Sequence, residues 1–203
     1  MSPAPERAPR KTAAKLGARI SIVGPSGAGK TTLGRTLSAE LGVPRLELDA
    51  VNHQANWTPI EPERFRAEVR EFVAGPAWVT DGNYTGVGVL DLIWARAETV
   101  VWLDLPRWRT AGRVVRRSAR RLVTREELWN GNRERLHNLL SPDRERNIVL
   151  WAWTNHAHKR AKLEQRARDP RWSALDIVRL RSPAEVARWL KRARAQPADA
   201  PHP

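Results

Sequence analysis

The chain has 203 residues, of which 41% are hydrophobic and 29% charged, so it can bury one substantial core and is expected to form one domain. It contains no cysteine, which excludes disulfides and thiolate metal sites. No stretch of the sequence approaches the roughly 18 apolar residues of a membrane span, and the first 18 residues lack the apolar core of a secretory signal. We therefore expect a cytoplasmic α/β protein.

The formal net charge is +14, from 30 arginines and 6 lysines against 22 acidic residues. This excess suggests an anionic partner, although an arginine-rich composition alone would also produce it. Residues 107–135 hold ten arginines and three glutamates, which is a net charge of +7 and half of the total. The location of the charge is therefore more informative than its size.

Both ends of the chain are predicted to be disordered tails. Residues 1–18 are rich in Ala, Pro, Arg and Lys, and residues 196–203 contain three prolines, which remove backbone donors. The folded domain is expected at 19–195. Within it, apolar runs typical of strands alternate with helical patterns, which predicts a parallel sheet covered on both faces. The five predicted strands are Arg19 to Val23, Arg45 to Asp49, Trp78 to Asp81, Thr99 to Leu105 and Leu175 to Leu180.

Helices are predicted between these strands. The first should begin at Lys30 and end at Gly42, and the second should begin at Pro62 and end before Gly75-Pro76. Further helices are predicted over 144–168 and 183–195. The helix after the fourth strand should bury an apolar face and carry arginines on another. Its apolar residues are Trp108, Ala111, Val115, Ala119 and Leu122, and its arginines are Arg109, Arg113, Arg116 and Arg120.

A glycine-rich motif between the first strand and the first helix predicts a nucleotide site. Residues 24–31 read Gly-Pro-Ser-Gly-Ala-Gly-Lys-Thr and satisfy the P-loop pattern G-x-x-x-x-G-K-[ST]. Its glycines let backbone amides turn toward phosphate, Lys30 is expected at the β and γ phosphates of ATP, and Thr31 at Mg²⁺. The predicted ATP-binding residues are Gly24, Pro25, Ser26, Gly27, Ala28, Gly29, Lys30, Thr31 and Thr32, joined by Arg113 and Arg117.

Two aspartates end predicted strands at the sheet edge where ligands bind. Asp81 is a candidate for organising Mg²⁺ together with Thr31, although Asp-Gly is also a common turn. Asp49 is a candidate for orienting or deprotonating an acceptor hydroxyl, although a helix-capping role is also open. His53, Trp57, Asn83 and Tyr84 follow these strands and are candidates for the wall of an acceptor pocket or for structural roles.

Three other groups of residues allow more than one interpretation. The arginines from Arg109 to Arg121 are consistent with a lid over the triphosphate, with a nucleic-acid contact, or with a solvated face, and we favour the lid. Most of the ten tryptophans, including Trp78, Trp94, Trp102 and Trp108, are predicted to pack in the core. His156 and His158 point to different sides of a helix and are predicted to be surface residues.

The pattern resembles the adenylate-kinase-like P-loop kinases, and within them the bacterial DNA-topology-modulation (FlaR-like) group. The resemblance runs from about Arg19 to Leu190. The segments that carry it, besides the P-loop, are Leu48-Asp49 with 53–59 (His-Gln-Ala-Asn-Trp-Thr-Pro), 81–84 (Asp-Gly-Asn-Tyr), 101–106 (Val-Trp-Leu-Asp-Leu-Pro), 124–134 (Thr-Arg-Glu-Glu-Leu-Trp-Asn-Gly-Asn-Arg-Glu) and 178–183 (Val-Arg-Leu-Arg-Ser-Pro).

The resemblance implies a three-layer sandwich with a five-stranded parallel sheet in the order 2-3-1-4-5 and a mobile arginine-rich lid at about 107–135. It implies that Asp81 helps to hold the water shell of Mg²⁺, and that Arg113 and Arg117 contact ATP near the adenine and the phosphates. Nucleoside-monophosphate kinases usually follow Asp-Gly with Phe-Pro-Arg, whereas this chain continues with Asn83-Tyr84. Together with Asp49, this difference favours an alcohol acceptor over a phosphate.

These expectations combine into an ATP- and Mg²⁺-dependent phosphotransferase, a small-molecule or nucleotide kinase whose acceptor is unidentified. Its predicted catalytic residues are Lys30, Asp49, Asp81, Arg113 and Arg117, and its predicted metal ligands are Thr31 and Asp81. The alternative is an ATP-switched protein whose basic segment binds nucleic acid.

Overall fold

A computed structural model of the chain describes residues 17–134 and 148–195. The predicted tails therefore lie outside the described residues, except for Gly17 and Ala18. Gly17 N donates to Thr99 Oγ1 and Ala18 O accepts from Trp78 N, so these two residues belong to the domain rather than to the tail. Residues 144–147 of a predicted helix and residue 135 of the predicted lid also lie outside the described residues.

The sheet has five parallel strands in the order β2-β3-β1-β4-β5, which is the predicted order. The strands are β1 Arg19–Val23, β2 Arg45–Glu47, β3 Trp78–Asp81, β4 Thr99–Leu103 and β5 Asp176–Leu180. The central strands β1, β3 and β4 are almost wholly buried because helices cover both faces of the sheet, which explains their nearly continuous apolar sequences.

Seven α-helices connect or flank these strands among the described residues. They are α1 Lys30–Leu41, α2 Leu48–Asn52, α3 Pro62–Val73, α4 Val89–Trp94, α5 Arg107–Thr124, α6 Ile148–Ala167 and α7 Pro183–Ala195. The side chain of Glu61 caps α3 by accepting from Arg64 N at 2.8 Å, and α1 ends at Gly42 with φ 66°. Within the described part of the chain, no helix has both the length and the apolar character needed to span a membrane.

Two apolar cores lie on the two faces of the sheet. One contains Trp78, Trp94 and Trp102, and the other contains residues of α1 such as Leu33 and Leu37. The predicted core positions of these three tryptophans are confirmed. The prediction for Trp108 is wrong, because its side chain is 64% exposed on α5.

The second strand is shorter than predicted and a helix begins where we expected its end. β2 pairs with β3 only as far as Glu47, opposite Asp81, and Gly82 then takes the chain away with φ 146°. No pairing partner continues the ladder, so Leu48 starts α2 and Asp49 lies in the first turn of that helix. The short helix α4 was not predicted, because six residues are too few to show a helical period clearly.

Helix α5 turns a different face to the protein than the sequence predicts. Its buried residues are Thr110, Ala111, Val114 and Ser118, whereas Val115, like Trp108, is exposed. The reason is close contact with the P-loop: a Cβ placed on Gly27 would lie 2.3 Å from Thr110 O and 3.0 Å from Val114 Cγ2. Small or β-branched side chains allow this approach, and a face containing Trp108 would not.

Gly27→Ala tests the contact between α5 and the P-loop. We expect the free energy of unfolding to fall by about 2 kcal/mol or more, because the added methyl would collide with a backbone oxygen at a position where φ is 80°. Urea denaturation followed by circular dichroism measures the change. Gly112→Ala is the matched control in α5, where a Cβ meets nothing within 4 Å. It should stabilise the protein by about 1 kcal/mol through helix propensity. Equal stabilities for the two variants would contradict the close contact.

Candidate active site

The P-loop forms one wall of a large cavity at the carboxyl edge of the sheet. Residues 26–32 line this cavity, which has a volume of about 1630 Å³. Gly24, Gly27 and Gly29 have φ values of 147°, 80° and 99°, which only glycine adopts without strain. The cavity exceeds the roughly 300 to 1,000 Å³ of a typical small-molecule pocket, so it has room for two ligands side by side.

Lys30 lies at the start of α1 with its ammonium group against the P-loop. Its Nζ donates to Gly24 O at 3.0 Å and to Pro25 O at 3.2 Å. Burial lowers the pKa of Lys30, and the negative charges of Asp49 and Asp81 oppose this effect. A phosphate group bound in the loop would give this ammonium a stronger acceptor than either carbonyl.

Asn83 locks the beginning of the P-loop to the end of β3. Gly24 N donates to Asn83 Oδ1 at 3.0 Å, and Asn83 Nδ2 donates to Gly24 O. The sequence offered Asn83 as a residue of an acceptor pocket. It lies on the cavity wall, but both ends of its amide bind the P-loop backbone. Its place here is structural.

A cluster of two carboxylates surrounds the hydroxyl of Thr31. Thr31 Oγ1 lies 3.1 Å from Asp81 Oδ1 and 3.2 Å from Glu47 Oε1. Arg45 forms ion pairs with the other oxygens of the same two groups, Asp81 Oδ2 and Glu47 Oε2. Burial raises the pKa of Asp81, and Arg45 offsets part of this rise. Asp81 and Thr31 are therefore together, as predicted, and Glu47 joins them.

These oxygens fit a magnesium ion that arrives with a nucleotide. Mg²⁺ takes hard oxygen ligands and commonly uses one or two carboxylates together with water and substrate phosphates. Residues 17–134 and 148–195 contain no group of three or more His, Cys, Asp or Glu that could hold a metal by themselves. A hydroxyl and two carboxylates are a donor set that suits an ion shared with substrate phosphates.

Asp49 faces the same cavity from α2 and is held by Tyr84. Tyr84 donates its phenolic hydrogen to Asp49 Oδ1 at 2.7 Å, and its ring packs edge-to-face on Phe65 at 5.0 Å between centroids. Burial, reinforced by the negative charge of Asp49, raises the pKa of Tyr84, so the phenol stays a donor. The predicted proximity of Asp49 and Tyr84 to the P-loop is thus observed.

The arginines of α5 divide between the cavity and the outer surface. Arg113 Nη1 donates to Ala28 O of the P-loop at 3.3 Å, and Arg117 lines the cavity. Arg121 forms an ion pair with Glu134 at 2.9 Å, which ties α5 to the segment that follows it. Arg109 instead stacks on the exposed ring of Trp108, 4.7 Å from its centroid. That the segment moves as a lid stays a prediction.

Helix α6 brings a lysine that the sequence analysis did not find. Lys159 lines the cavity, and burial together with the positive charge of Lys30 lowers its pKa to about 8, while Asp49 opposes the shift. No motif surrounds Lys159. Glu47 was missed as well, because the predicted second strand continued to Asp49, whereas β2 ends at Glu47.

Contacts on both sides of Lys159 fix α6 to the end of β4. His156 Nε2 lies 3.0 Å from Leu105 O, and Arg160 Nε lies 3.2 Å from Asp104 Oδ1. His156 is therefore buried, and its predicted surface position is wrong because the carbonyl of Leu105 satisfies the imidazole. His158 is exposed, as predicted.

His53 and Trp57, which were candidates for a pocket wall or for structural roles, line the cavity, and Trp129 lies beside them. Burial lowers the pKa of His53, and Asp49 partly opposes the shift. His53 follows the last residue of α2, and the three rings line the cavity at that end of the helix. The cavity therefore has a polar, glycine-rich side and an aromatic side, with Asp49 between them.

The chain resembles solved structures of other proteins in its three-dimensional fold. No protein-family profile matches the chain, and no curated protein matches its sequence. A shikimate kinase from Acinetobacter baumannii in complex with shikimate has a TM-score of 0.53 and 21% identity, covering 89% of this chain and 93% of its own. A gluconokinase from Sinorhizobium meliloti 1021 has a TM-score of 0.51 and 18% identity, covering 90% of this chain and 94% of its own.

The narrower resemblance to the DNA-topology-modulation group stays a prediction, because neither of these structures represents it. The strand order, the position of the P-loop and the likeness over most of both chains agree with one another. The chain therefore has the three-layer α/β fold of the P-loop kinases.

Proposed function

We propose that the protein is an ATP- and Mg²⁺-dependent kinase that phosphorylates a hydroxyl group of a small molecule. The observation that carries this proposal is Asp49, a carboxylate oriented by Tyr84 in the same cavity as the P-loop lysine. A carboxylate held in this way can accept the proton of an acceptor hydroxyl, and the cavity has room for that acceptor beside ATP. The kinases of the same fold named above, for shikimate and gluconate, support a small-molecule acceptor.

The P-loop side of the cavity would hold the triphosphate of ATP. The first residues of α1 line the cavity, and a helix N-terminus offers unpaired backbone amides and a partial positive charge to an anion. Lys30 would exchange its bonds to Gly24 O and Pro25 O for phosphate oxygens. Arg113, which already contacts Ala28 O, would reach the nucleotide from α5.

Thr31, Asp81 and Glu47 would hold Mg²⁺ with the phosphates, where the ion neutralises charge on the transferring group. Arg45 keeps the two carboxylates in place through their outer oxygens and lowers the repulsion between them. The site then combines the hydroxyl of Thr31 with the carboxylates of Glu47 and Asp81, which end the adjacent strands β2 and β3.

Asp49 would take the proton of the acceptor hydroxyl as its oxygen attacks the γ-phosphorus. The new bond joins that oxygen to phosphorus, the bond from phosphorus to the bridging oxygen of ADP breaks, and ADP leaves with the electron pair. Tyr84 donates to Oδ1 of Asp49, so Oδ2 is the oxygen that would accept the proton. Arg117 and Lys159 would stabilise the charge on the phosphoryl group during transfer.

The two aspartates should fail differently when they are changed to asparagine. Asp81→Asn should reduce both ATP hydrolysis and phosphoryl transfer, because both need the metal. Asp49→Asn should spare ATP binding and hydrolysis but reduce acceptor phosphorylation by about 10² to 10⁴-fold, the usual effect of losing a general base. A screen of hydroxylated metabolites for acceptor-dependent ADP release identifies a substrate, and steady-state rates on that substrate then compare the variants.

Tyr84→Phe is the matched control for Asp49, since the ring still packs on Phe65 while the hydrogen bond is lost. Transfer should fall by about 10 to 100-fold, the effect of one hydrogen bond to a charged group. Equal losses of hydrolysis and transfer in Asp49→Asn would remove the role assigned to this carboxylate. A broad screen without acceptor-dependent ADP release would overturn the kinase proposal.

The charge of Lys159 should produce a pH dependence. With a pKa of about 8, its ammonium is present below pH 8 and is lost above it, so kcat/KM should fall as pH rises through that value. Bound phosphate favours the charged form, so the corresponding limb of kcat should lie at higher pH. Initial rates between about pH 6 and 10 measure the alkaline limbs of kcat/KM and of kcat.

Lys159→Arg should remove this alkaline limb, because arginine stays protonated over the whole range. Lys162→Arg is the control, since Lys162 is an exposed residue of the same helix. Its profile should match that of the wild type. A limb that survives Lys159→Arg would assign the titration to another group, such as Lys30.

A further inference from the structure

Three aromatic rings form a surface on the acceptor side of the cavity, which we call the aromatic shelf (His53, Trp57 and Trp129). His53 stacks on Trp129 with 5.7 Å between centroids and meets Trp57 edge-on at 5.4 Å. All three rings line the cavity, are half-buried, and lie outside both apolar cores of the described chain. Packing of the domain interior therefore does not explain them.

The shelf is assembled from two segments that are far apart in sequence. Asn130 Nδ2 donates to His53 O at 2.6 Å, and Asn132 Nδ2 donates to Gln54 O at 2.8 Å. In return, Trp57 N donates to Asn132 Oδ1 at 2.8 Å. These bonds join the loop after α2 to the segment after α5, so the rings are held by backbone contacts rather than by burial.

The backbone at the shelf adopts conformations that side chains disfavour. Asn56, Trp57 and Asn130 have φ values of 57°, 60° and 55°. Asparagine tolerates this region, but a residue as bulky as tryptophan is an outlier there. Strain of this kind persists where the surrounding contacts enforce it, and it clusters at binding sites. The hydrogen bonds of Asn132 enforce it here, and the result is an indole presented to the cavity.

The shelf begins one helical turn from the proposed general base. His53 N donates to Asp49 O at 3.0 Å at the end of α2, and Asn130 Nδ2 reaches Ala50 O at 3.4 Å. A molecule lying on the rings would thus place its edge within reach of the Asp49 carboxylate. The indoles of Trp57 and Trp129 stand at 88° to each other with 6.5 Å between their centroids, so they form an apolar corner. A corner of this kind with a carboxylate at its border selects for molecular shape.

We propose that the acceptor is a cyclic molecule whose ring packs against the indoles of the aromatic shelf while a hydroxyl at the ring edge meets Asp49. This inference rests on the proposed kinase function and names its substrate class. Two kinds of ring have the required apolar face: the C–H face of a sugar or cyclitol, and the π-face of a nucleobase. An open-chain polyol presents neither face without an entropic cost for ordering.

The full-length protein is tested with pairs of acceptors that differ in ring closure. One pair is myo-inositol and sorbitol, and the panel extends it with cyclic and open-chain sugar acids and with nucleosides. ADP release measures phosphorylation, and saturation-transfer NMR measures binding independently of turnover. We expect binding and phosphorylation of cyclic members alone, and comparing the sugar or cyclitol arm with the nucleoside arm identifies the kind of ring.

Substitutions of the shelf give the second test. Trp129→Ala and Trp57→Ala should raise KM for the cyclic acceptor by about 10-fold or more with little change in kcat, since stacking on one aromatic residue is worth about 1 to 3 kcal/mol. Trp129→Leu keeps apolar bulk and should lose most of the same affinity. Trp108→Ala and Trp153→Ala are controls, because both indoles are exposed, at 64% and 43%, and lie outside the residues that line the cavity.

The outcomes separate the two proposals. Phosphorylation of open-chain acceptors as efficient as that of rings, with KM unchanged in both shelf variants, would overturn the shelf and leave the kinase proposal standing. Ring binding that is lost in Trp129→Ala, without phosphorylation of any compound, would support the shelf and overturn the kinase proposal.

Discussion

The buried carboxylate of Asp81 sets the arrangement of this site. A carboxylate with 3% exposure must be compensated, because an isolated buried charge is very costly. Arg45 supplies the opposite charge from β2, and Thr31 supplies a hydroxyl from α1. These contacts bring together the first turn of α1 and the ends of two strands. Glu47 enters the same cluster through its bonds to Arg45 and Thr31, so one buried charge organises both the P-loop and the candidate metal site.

The same sheet edge explains why the cavity has two different sides. On the P-loop side, Gly27 lets α5 approach the backbone, and Asn83 fixes the turn that follows β1, so this wall is rigid and rich in amides. On the other side, Asn130 and Asn132 join two segments through hydrogen bonds to backbone. Asp49 lies between the sides. A phosphate donor and an acceptor with different chemistry would therefore meet at a carboxylate that belongs to neither wall.

Sequence reasoning predicted the strands and the P-loop closely, because buried parallel strands and glycine-rich turns depend on local pattern. The strand order came from a family resemblance, not from periodicity. Of the predicted apolar face of α5, Trp108 and Val115 are exposed, since tertiary contact with Gly27 favours Thr110 and Val114. Lys159 gave no signal, because only the packing of α6 brings it to the cavity. Residues that reach the site through contacts between distant segments have no local sequence pattern from which their position could be predicted.

Ion pairs formed by arginines hold the helix that carries Lys159 against the sheet. Asp104 accepts from Arg179 at 2.7 Å and pairs with Arg160, so a buried carboxylate at the end of β4 holds α6 against the sheet. Arg179 also stacks on Trp102, 4.0 Å from its ring centroid, where its planar guanidinium fits and an ammonium would not. Some of the arginines are thus used in internal ion pairs, and Arg113 and Arg117 carry positive charge to the cavity. The positive field of the cavity then follows from the same elements that assemble the domain.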